Sequence, residues 1–511
     1  MRLRRHDRGM GAQRAAFGRL VRNLAGGSFW RDAGVRPAMT YDEFQTTVAP
    51  RGHEAFAAAI DRMRQGEANV LWPGRCQLFA ATAGTTLGSA KLIPVTGEML
   101  GHFHKSCRDA VLYYTARVGH AGVMRGKRLF VTGATGLTAL HVEGSPHRAY
   151  SAEWPEIASL GFPSWARPEL TGQGYSNAES PDWDARVASL IAGSAEKDIS
   201  FVAGVPHWVL NFAEAMRTRQ AELGRPVGNL RECWPNLECV MYGGCSAAPY
   251  QAELRANFGP GVELHEIYVA AEGVLAIQDG AGHGELRVLT HRGVYFEFVP
   301  LTDFDTCRTE ALGPKAVTLE NVATGVDYVV LITTPAGLAR YVLGDIVRFT
   351  SVEPPRLIVV GRTDLRLTTY GERVLEKDVT DALLSVCQRH RWSIVNFHVA
   401  PLHSTALTGH THGRHEWWVE LKPGTMETPT GPQMALELDS ELKRLNREYQ
   451  SRRDSGRIDA PTVRLVMPGV FRHWQQFHGR WDGRSRIARC RGDRLVADEL
   501  AQMTRFAGDQ H

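Results

Sequence analysis

Lysine is nearly missing from this chain. Eight of its 511 residues are lysine, against 51 arginines, so chemistry that needs an ammonium group has few candidates. The eight cysteines, Cys76, Cys107, Cys233, Cys239, Cys245, Cys307, Cys387 and Cys490, are dispersed, and no C-x-x-C occurs. That spacing excludes a zinc ribbon and a disulfide framework, and scattered thiols fit a reducing cytoplasm. No apolar run reaches the length of a membrane span. Acidic residues are absent from Met1–Gly27 except Asp7. That stretch is Arg-rich but has no continuous apolar core, so an amphipathic helix carrying Phe17, Leu20, Val21 and Leu24 is expected rather than a secretory signal. Excess charge is scarce too: the net value of +4 lacks the dense basic stripe of a nucleic-acid binder.

What is present is apolar. Hydrophobic residues make up 43%, including 12 Trp, 13 Tyr and 19 Phe, which excludes a disordered, collagen-like or coiled-coil chain. The length suggests two to five domains as a prior. Strand-like runs bounded by Gly or Pro recur at Arg128–Gly133, Leu237–Gly243, Leu264–Ala270, Tyr328–Thr333 and Leu357–Gly361. Between them Pro206–Leu223 reads as a helix, with Pro206 in its first turn, Trp208, Phe212 and Met216 on one face, and Gly224 as a stop. Strands alternating with helices indicate α/β layers. After Gly361 the pattern changes to a helix near Leu375–Cys387, strands at Ile394–Pro401 and Glu416–Leu421, a helix near Met434–Tyr449 and a strand at Val463–Met467. The expected architecture is a large α/β N-terminal domain over residues 1–361, with β-sheets flanked by helices. A small α+β domain over 362–511 follows, its helices packed on one face.

Two segments carry candidate chemistry. Thr82-Ala83-Gly84-Thr85-Thr86-Leu87-Gly88-Ser89-Ala90-Lys91 combines glycines, hydroxyls and a closing lysine, as loops that cradle phosphates do. A structural turn is the alternative, and the pattern is not G-x-x-x-x-G-K-[ST]. In Gly361-Arg362-Thr363-Asp364, a strand ends in G-R-x-D and runs on to Gly371-Glu372. Together the two segments resemble the acyl-adenylate-forming superfamily. Five further pieces, in order, narrow the resemblance: Thr40-Tyr41-Asp42-Glu43-Phe44, Gly204-Val205-Pro206-His207-Trp208, Trp234-Pro235-Asn236-Leu237 running into Gly243-Gly244-Cys245-Ser246, Tyr268-Val269-Ala270-Ala271-Glu272-Gly273, and Tyr341-Val342-Leu343-Gly344-Asp345-Ile346-Val347. The set resembles the GH3 acyl acid amidosynthetases, of which bacterial members exist, from about Thr40 to Arg489.

The resemblance implies a two-step ligase in which ATP and Mg²⁺ activate a small carboxylic acid as an acyl-adenylate that an amine or amino acid then captures. No nucleic-acid or membrane partner is implied. It assigns Thr82, Gly84, Thr85, Thr86, Gly88 and Lys91 to the phosphates, Tyr268 to adenine, Glu272 to Mg²⁺, Asp345 to the ribose hydroxyls and Arg362 to the hinge of a mobile C-terminal domain. Tyr113 and Arg117 fall where the acyl pocket is expected, Arg117 against the acid's distal polar group, and Gly243 and Gly244 join the substrate side. The sequence also departs from the family. Ala83, Ala270 and Ala271 replace serines, and Gly483-Arg484-Ser485-Arg486-Ile487-Ala488-Arg489 aligns with G-x-x-K-x-P-R, so Arg486 stands at the lysine and Ala488 at the proline. A thiol acceptor and a nucleotide- or acid-binding protein without catalysis stay open as alternatives. The His410-Thr411-His412-Gly413-Arg414-His415 run reads as a solvated loop rather than a metal site.

Overall fold

The computed structural model describes the chain apart from residues 1–8, 83–90, 132–135, 142–145, 154–155, 158–159, 161–169, 172–182, 246–249, 281, 283, 404–412, 424–427, 483–485 and 509–511, and the side chains of 170–171, 306–307 and 505–508. It divides into a large compact unit reaching Val359 and a smaller one beginning at Val360. Among the described residues, no helix is long and apolar enough to cross a membrane.

Among the described residues the large unit is built on a sheet of 12 strands. Leu170–Thr171, Lys127–Val131, Ile199–Gly204, Cys239–Tyr242 and Glu263–Ala270 are neighbours in that order and run parallel. At Glu263–Ala270 the direction reverses, because Gly273–Ile277 folds straight back antiparallel. The strands Leu286–Val288, Pro355–Arg362, Tyr341–Val352, Asp327–Thr333, Tyr295–Pro300 and Val317–Thr318 complete the order. Open α/β sheets take ligands beyond the carboxyl ends of the parallel strands, where the topology switches. Here that place is the end of Glu263–Ala270. A second sheet holds the hairpin of Leu78–Ala81 and Leu92–Pro94, with Ala81 opposite Leu92.

The helix Gly97–Val118 follows that hairpin directly. Thr96 caps it, its hydroxyl accepting the Met99 N–H at 3.1 Å and donating to the Pro335 carbonyl at 2.7 Å. Met99, Phe103, Ala110 and Tyr114 bury its inner face. The Thr40–Phe44 segment has a structural role. Thr40 and Glu43 form a capping box at Tyr41–Thr47, Phe44 is buried, and the Tyr41 hydroxyl donates to Glu297 at 2.8 Å. Glu297 also pairs with Arg340 at 3.0 Å, with the two side chains 1% and 0% exposed. The guanidinium is satisfied further by the Gln45, Val48 and Gly313 carbonyls at 2.8–2.9 Å. A buried ion pair persists only when its remaining donors are met in this way.

The small unit has a three-stranded sheet of Ile394–His403, Gly413–Leu421 and Thr462–Val466, antiparallel and then parallel. Its helices do not lie on one face, as the sequence suggested. Neighbouring strand residues point to opposite faces, and Trp417 and Trp418 are both buried. Trp417 packs with Phe397, Val399 and the helices Glu376–His390 and Gly431–Leu445. Trp418 packs with Phe471, Trp474, Val496 and Leu500, from the helices Val470–Phe477 and Leu495–Gly508. The expected helix Met434–Tyr449 is also two, Gly431–Leu445 and Arg447–Asp454, because Asn446 leaves helical geometry and caps the second through the Tyr449 N–H at 2.9 Å. The strand Gly413–Leu421 starts earlier than expected and takes His415 out of the polar loop. His415 is fully buried, with Nε2 3.0 Å from Glu372 Oε1.

Candidate active site

Tyr268 and Glu272 sit at the topological switch. Ala270 pairs with Gly273, so Ala271 and Glu272 form a two-residue turn between Glu263–Ala270 and Gly273–Ile277. Tyr268 is 8% exposed and Glu272 6%. The Tyr268 hydroxyl donates to Asp345 Oδ2 at 2.5 Å. Asp345 lies on Tyr341–Val352, and three strands separate that strand from Glu263–Ala270 in the sheet order. Contact across that interval requires the sheet to curl until the two meet. Two of the residues assigned to nucleotide are thereby brought together. A carboxylate offers lone pairs for about four donors, so the phenol does not exhaust Asp345.

Gly243 and Gly244 follow the end of the neighbouring strand Cys239–Tyr242. A Cβ at Gly243 would lie 2.6 Å from the Ile267 carbonyl oxygen and 3.0 Å from Val269 Cγ1. The absent side chain lets the strand of Tyr268 approach. Glu266, on the same face as Tyr268, accepts the Gly284 N–H at 3.1 Å, and burial pushes its carboxyl up to about 7.

The described ends of the phosphate-type loop are locked to each other. Thr82 N–H donates to the Lys91 carbonyl at 2.9 Å, and Lys91 N–H donates to the Thr82 hydroxyl at 3.0 Å. Lys91 extends its ammonium to 3.5 Å from Glu54. Gly84, Thr85, Thr86 and Gly88 lie outside the described residues.

On the helix Gly97–Val118, Tyr113 is buried, with the Arg287 guanidinium 6.0 Å from its ring centroid. Arg117 corrects the expectation made for it. Its guanidinium donates to Glu263 Oε2 at 2.9 Å and to the Leu264 carbonyl at 3.2 Å, and lies 5.7 Å from the Tyr114 ring centroid. It is a strut from helix to strand, with its charge already matched by Glu263 and not directed at an acid.

In the small unit, Arg362 donates to Asp364 at 3.0 Å. Arg486 directly precedes a segment bound to the three-stranded sheet. Val399 N–H donates to the Arg489 carbonyl at 2.8 Å, Arg491 N–H donates to the Val399 carbonyl at 3.0 Å, and His398 Nδ1 is 2.7 Å from the Ala488 carbonyl. Ile487, Ala488 and Cys490 are buried. Ala488, at the family's proline position, is thus held through its carbonyl by the His398 imidazole.

One residue near the site has no signal in the sequence. His102, a lone histidine on an apolar helix face, is buried against the turn that carries Glu272: Val274 N–H donates to its Nε2 at 3.0 Å.

Similarity to known proteins agrees with this geometry. Residues 7–153 match the GH3 family N-terminal domain, 287–362 the GH3 family central domain and 377–493 the GH3 family C-terminal domain. The probable indole-3-acetic acid-amido synthetase GH3.12 of Oryza sativa subsp. japonica is 25% identical over 307 residues, covering 54% of this chain and 50% of that protein. The jasmonoyl–L-amino acid synthetase JAR4 of Nicotiana attenuata is 29% identical over 200 residues, covering 36% of this chain and 33% of its own length. The chain therefore spans half or less of the length of these two relatives. The solved AtGH3.15 acyl acid amido synthetase in complex with 2,4-DB superposes with a TM-score of 0.73 at 16% identity, over 97% of this chain and 93% of that one, and so shares the fold. With the three domains of one family matched in chain order over about two thirds of its length, the chain belongs to the GH3 family.

Proposed function

We propose that this protein is an ATP-dependent acid–amine ligase. In the first step a carboxylate oxygen of a small acid bonds to the α-phosphorus of ATP, and the bond to pyrophosphate breaks. In the second an amine nitrogen bonds to the acyl carbon, AMP leaves and the nitrogen gives up a proton. The observation that carries this reading is the Tyr268–Asp345 hydrogen bond, which joins two nucleotide-directed segments at the sheet's switch point.

In this reading Thr82, Lys91 and the loop glycines and threonines between them hold the phosphates. Tyr268 and Asp345 hold the nucleoside, and Tyr113, Gly243 and Gly244 border the acyl group. Glu272 would hold the metal. Among the described residues no cluster of three or more His, Cys, Asp or Glu is poised for an ion. One buried carboxylate, that of Glu272, would suit Mg²⁺, a hard cation that prefers oxygen ligands. When bound, that ion neutralises phosphate charge. Arg486 supplies positive charge to the α-phosphate where the family uses lysine. It can bridge two oxygens, as a point-charge ammonium does not. The small unit, from about Arg362, rotates to deliver it and to exclude water from the activated acid. A cytoplasmic setting and a bacterial source belong to the same reading, supported by the dispersed thiols and the arginine-for-lysine composition.

Acid-dependent ATP–pyrophosphate exchange across indolyl, aryl and aliphatic acids tests it, with indole-3-acetic acid first, after the rice relative's name. Exchange with at least one acid is expected. ATP binding without exchange for any acid would leave a binding protein instead.

A further inference from the structure

The helix Gly97–Val118 begins just beyond the hairpin that Lys91 closes and runs past the turn that carries Glu272. There His102 makes a polar contact with the strand that follows the turn. Val274 N–H donates to His102 Nε2 at 3.0 Å, so Nε2 is the acceptor and the proton resides on Nδ1, which donates to the Arg292 carbonyl at 2.8 Å. Both ring nitrogens are satisfied in one tautomer. The ring is 3% exposed, and burial lowers it to about 4, so it is neutral. The fit against the hairpin is close. Gly273 has φ of 150°, and a Cβ there would stand 3.1 Å from His102 Nε2.

Arg292, which receives the other end, is itself fixed. Its guanidinium forms a two-point ion pair with Asp109, seven residues along the same helix face, and His291 Nε2 lies 3.2 Å from the same carboxylate. On the opposite side, the Gln13 side chain holds the Thr290 and Val294 carbonyls at 2.8 Å. The anchor behind His102 is thus tied down twice, while the turn in front of it has only two residues, one of them Glu272.

We propose that His102 is a positioning residue for the Glu272 carboxylate. It would set the distance between the metal-side turn and the phosphate-loop hairpin by pinning Val274 to the helix that continues from that hairpin. The inference rests on the reading that Glu272 serves Mg²⁺. Groups that orient a metal ligand typically change metal affinity by about 10–100-fold when removed.

The test is ATP binding by calorimetry, with Mg²⁺ and with chelator, in the full-length protein. Gln places an acceptor near where Nε2 lies, and Asn places a donor near where Nδ1 lies. His102→Gln keeps the bond from Val274, whereas His102→Asn keeps the bond to Arg292 and releases Val274. The expected result is that Asn loses about tenfold or more of the gain in ATP affinity that Mg²⁺ gives. Gln should retain most of the gain, and binding in chelator should be similar for both. A general folding defect would weaken both conditions alike and would not separate Gln from Asn. Asn behaving as the parent, or Gln losing as much as Asn, would overturn the inference. Glu272→Gln is run beside them. If it keeps the Mg²⁺ gain, the metal reading of Glu272 fails and His102 falls with it. If it loses the gain while Asn keeps it, the His102 inference alone fails.

Discussion

The phenol of Tyr268 and the carboxylate of Asp345 meet at 2.5 Å although 77 residues separate them in sequence. The bond ties the strand leading to Glu272 to the strand Tyr341–Val352, so a change at either residue is felt at both. Tyr268→Phe removes a donor from a buried carboxylate, a loss of about 1–3 kcal/mol, and a lower thermal midpoint is expected. Asp345→Ala should weaken ATP binding by about 1.5–3 kcal/mol if the lost bonds are charge-assisted. Calorimetric ATP affinity unchanged in Asp345→Ala would remove the carboxylate from the nucleotide site.

Arg486 gives a kinetic prediction. In the proposed reaction charge grows around the α-phosphate as the acid attacks, and removing one preorganised donor costs about 10²–10³-fold in rate. Arg486→Ala should slow pyrophosphate release by that factor with little change in ATP affinity, since the contact strengthens mainly in the transition state. Arg486→Lys should keep much of the rate. Equal rates for parent and Ala variant would show that this segment takes no part in chemistry.

The buried pair of Arg340 and Glu297 predicts stability rather than activity. Glu297→Gln leaves the guanidinium, 0% exposed, with its carbonyl partners but no counter-charge. Breaking such a pair costs about 3–5 kcal/mol, readable as a shift in urea midpoint at constant slope. A shift well under 1 kcal/mol would mean that solvent reaches the pair on little rearrangement.

Glu266 and the buried histidines act oppositely on acid stability. His102 is lowered to about 4 and His265 to about 3, both by burial. The unfolded chain binds their protons first, so stability falls as pH drops below about 6.5. Glu266 is raised to about 7. It is protonated in the fold and ionises on unfolding, so its contribution declines as pH rises from about 4.5 to 7. Glu266→Gln removes that decline. Variant stability relative to parent should climb across this window, by up to about 1.4 kcal/mol per pH unit. A flat difference in urea unfolding from pH 4.5 to 7 would show that Glu266 titrates normally.

The sequence carried the elements better than their meetings. Apolar runs bounded by glycine marked Glu263–Ala270 and Asp327–Thr333 to within a residue, because strand ends there coincide with a change of composition. The helices of the small unit were expected on one face, and the adjacent aromatics Trp417 and Trp418 do not by themselves say that both faces of a strand are covered. Tyr268, Glu272 and Asp345 were legible as motif residues, but the contact between Tyr268 and Asp345 depends on how far the sheet curls, which no local pattern encodes. Arg117 was misread for a similar reason: Glu263 is its partner, and nothing near Arg117 in the chain announces it. His102 left no trace, because one histidine among Met99, Phe103 and Ser106 looks like any other core position.

Gly243 is constrained by its neighbouring strand whatever it does for a ligand. The space its side chain would need is filled by the backbone of Ile267, one residue before Tyr268, so even a methyl group must push the tyrosine strand aside. A survey of substitutions at Gly243 would therefore report intolerance whatever the ligand. Loss of function there measures the gap between two strands, and specificity for the proposed acid has to be sought at positions where a side chain can be exchanged without moving Tyr268.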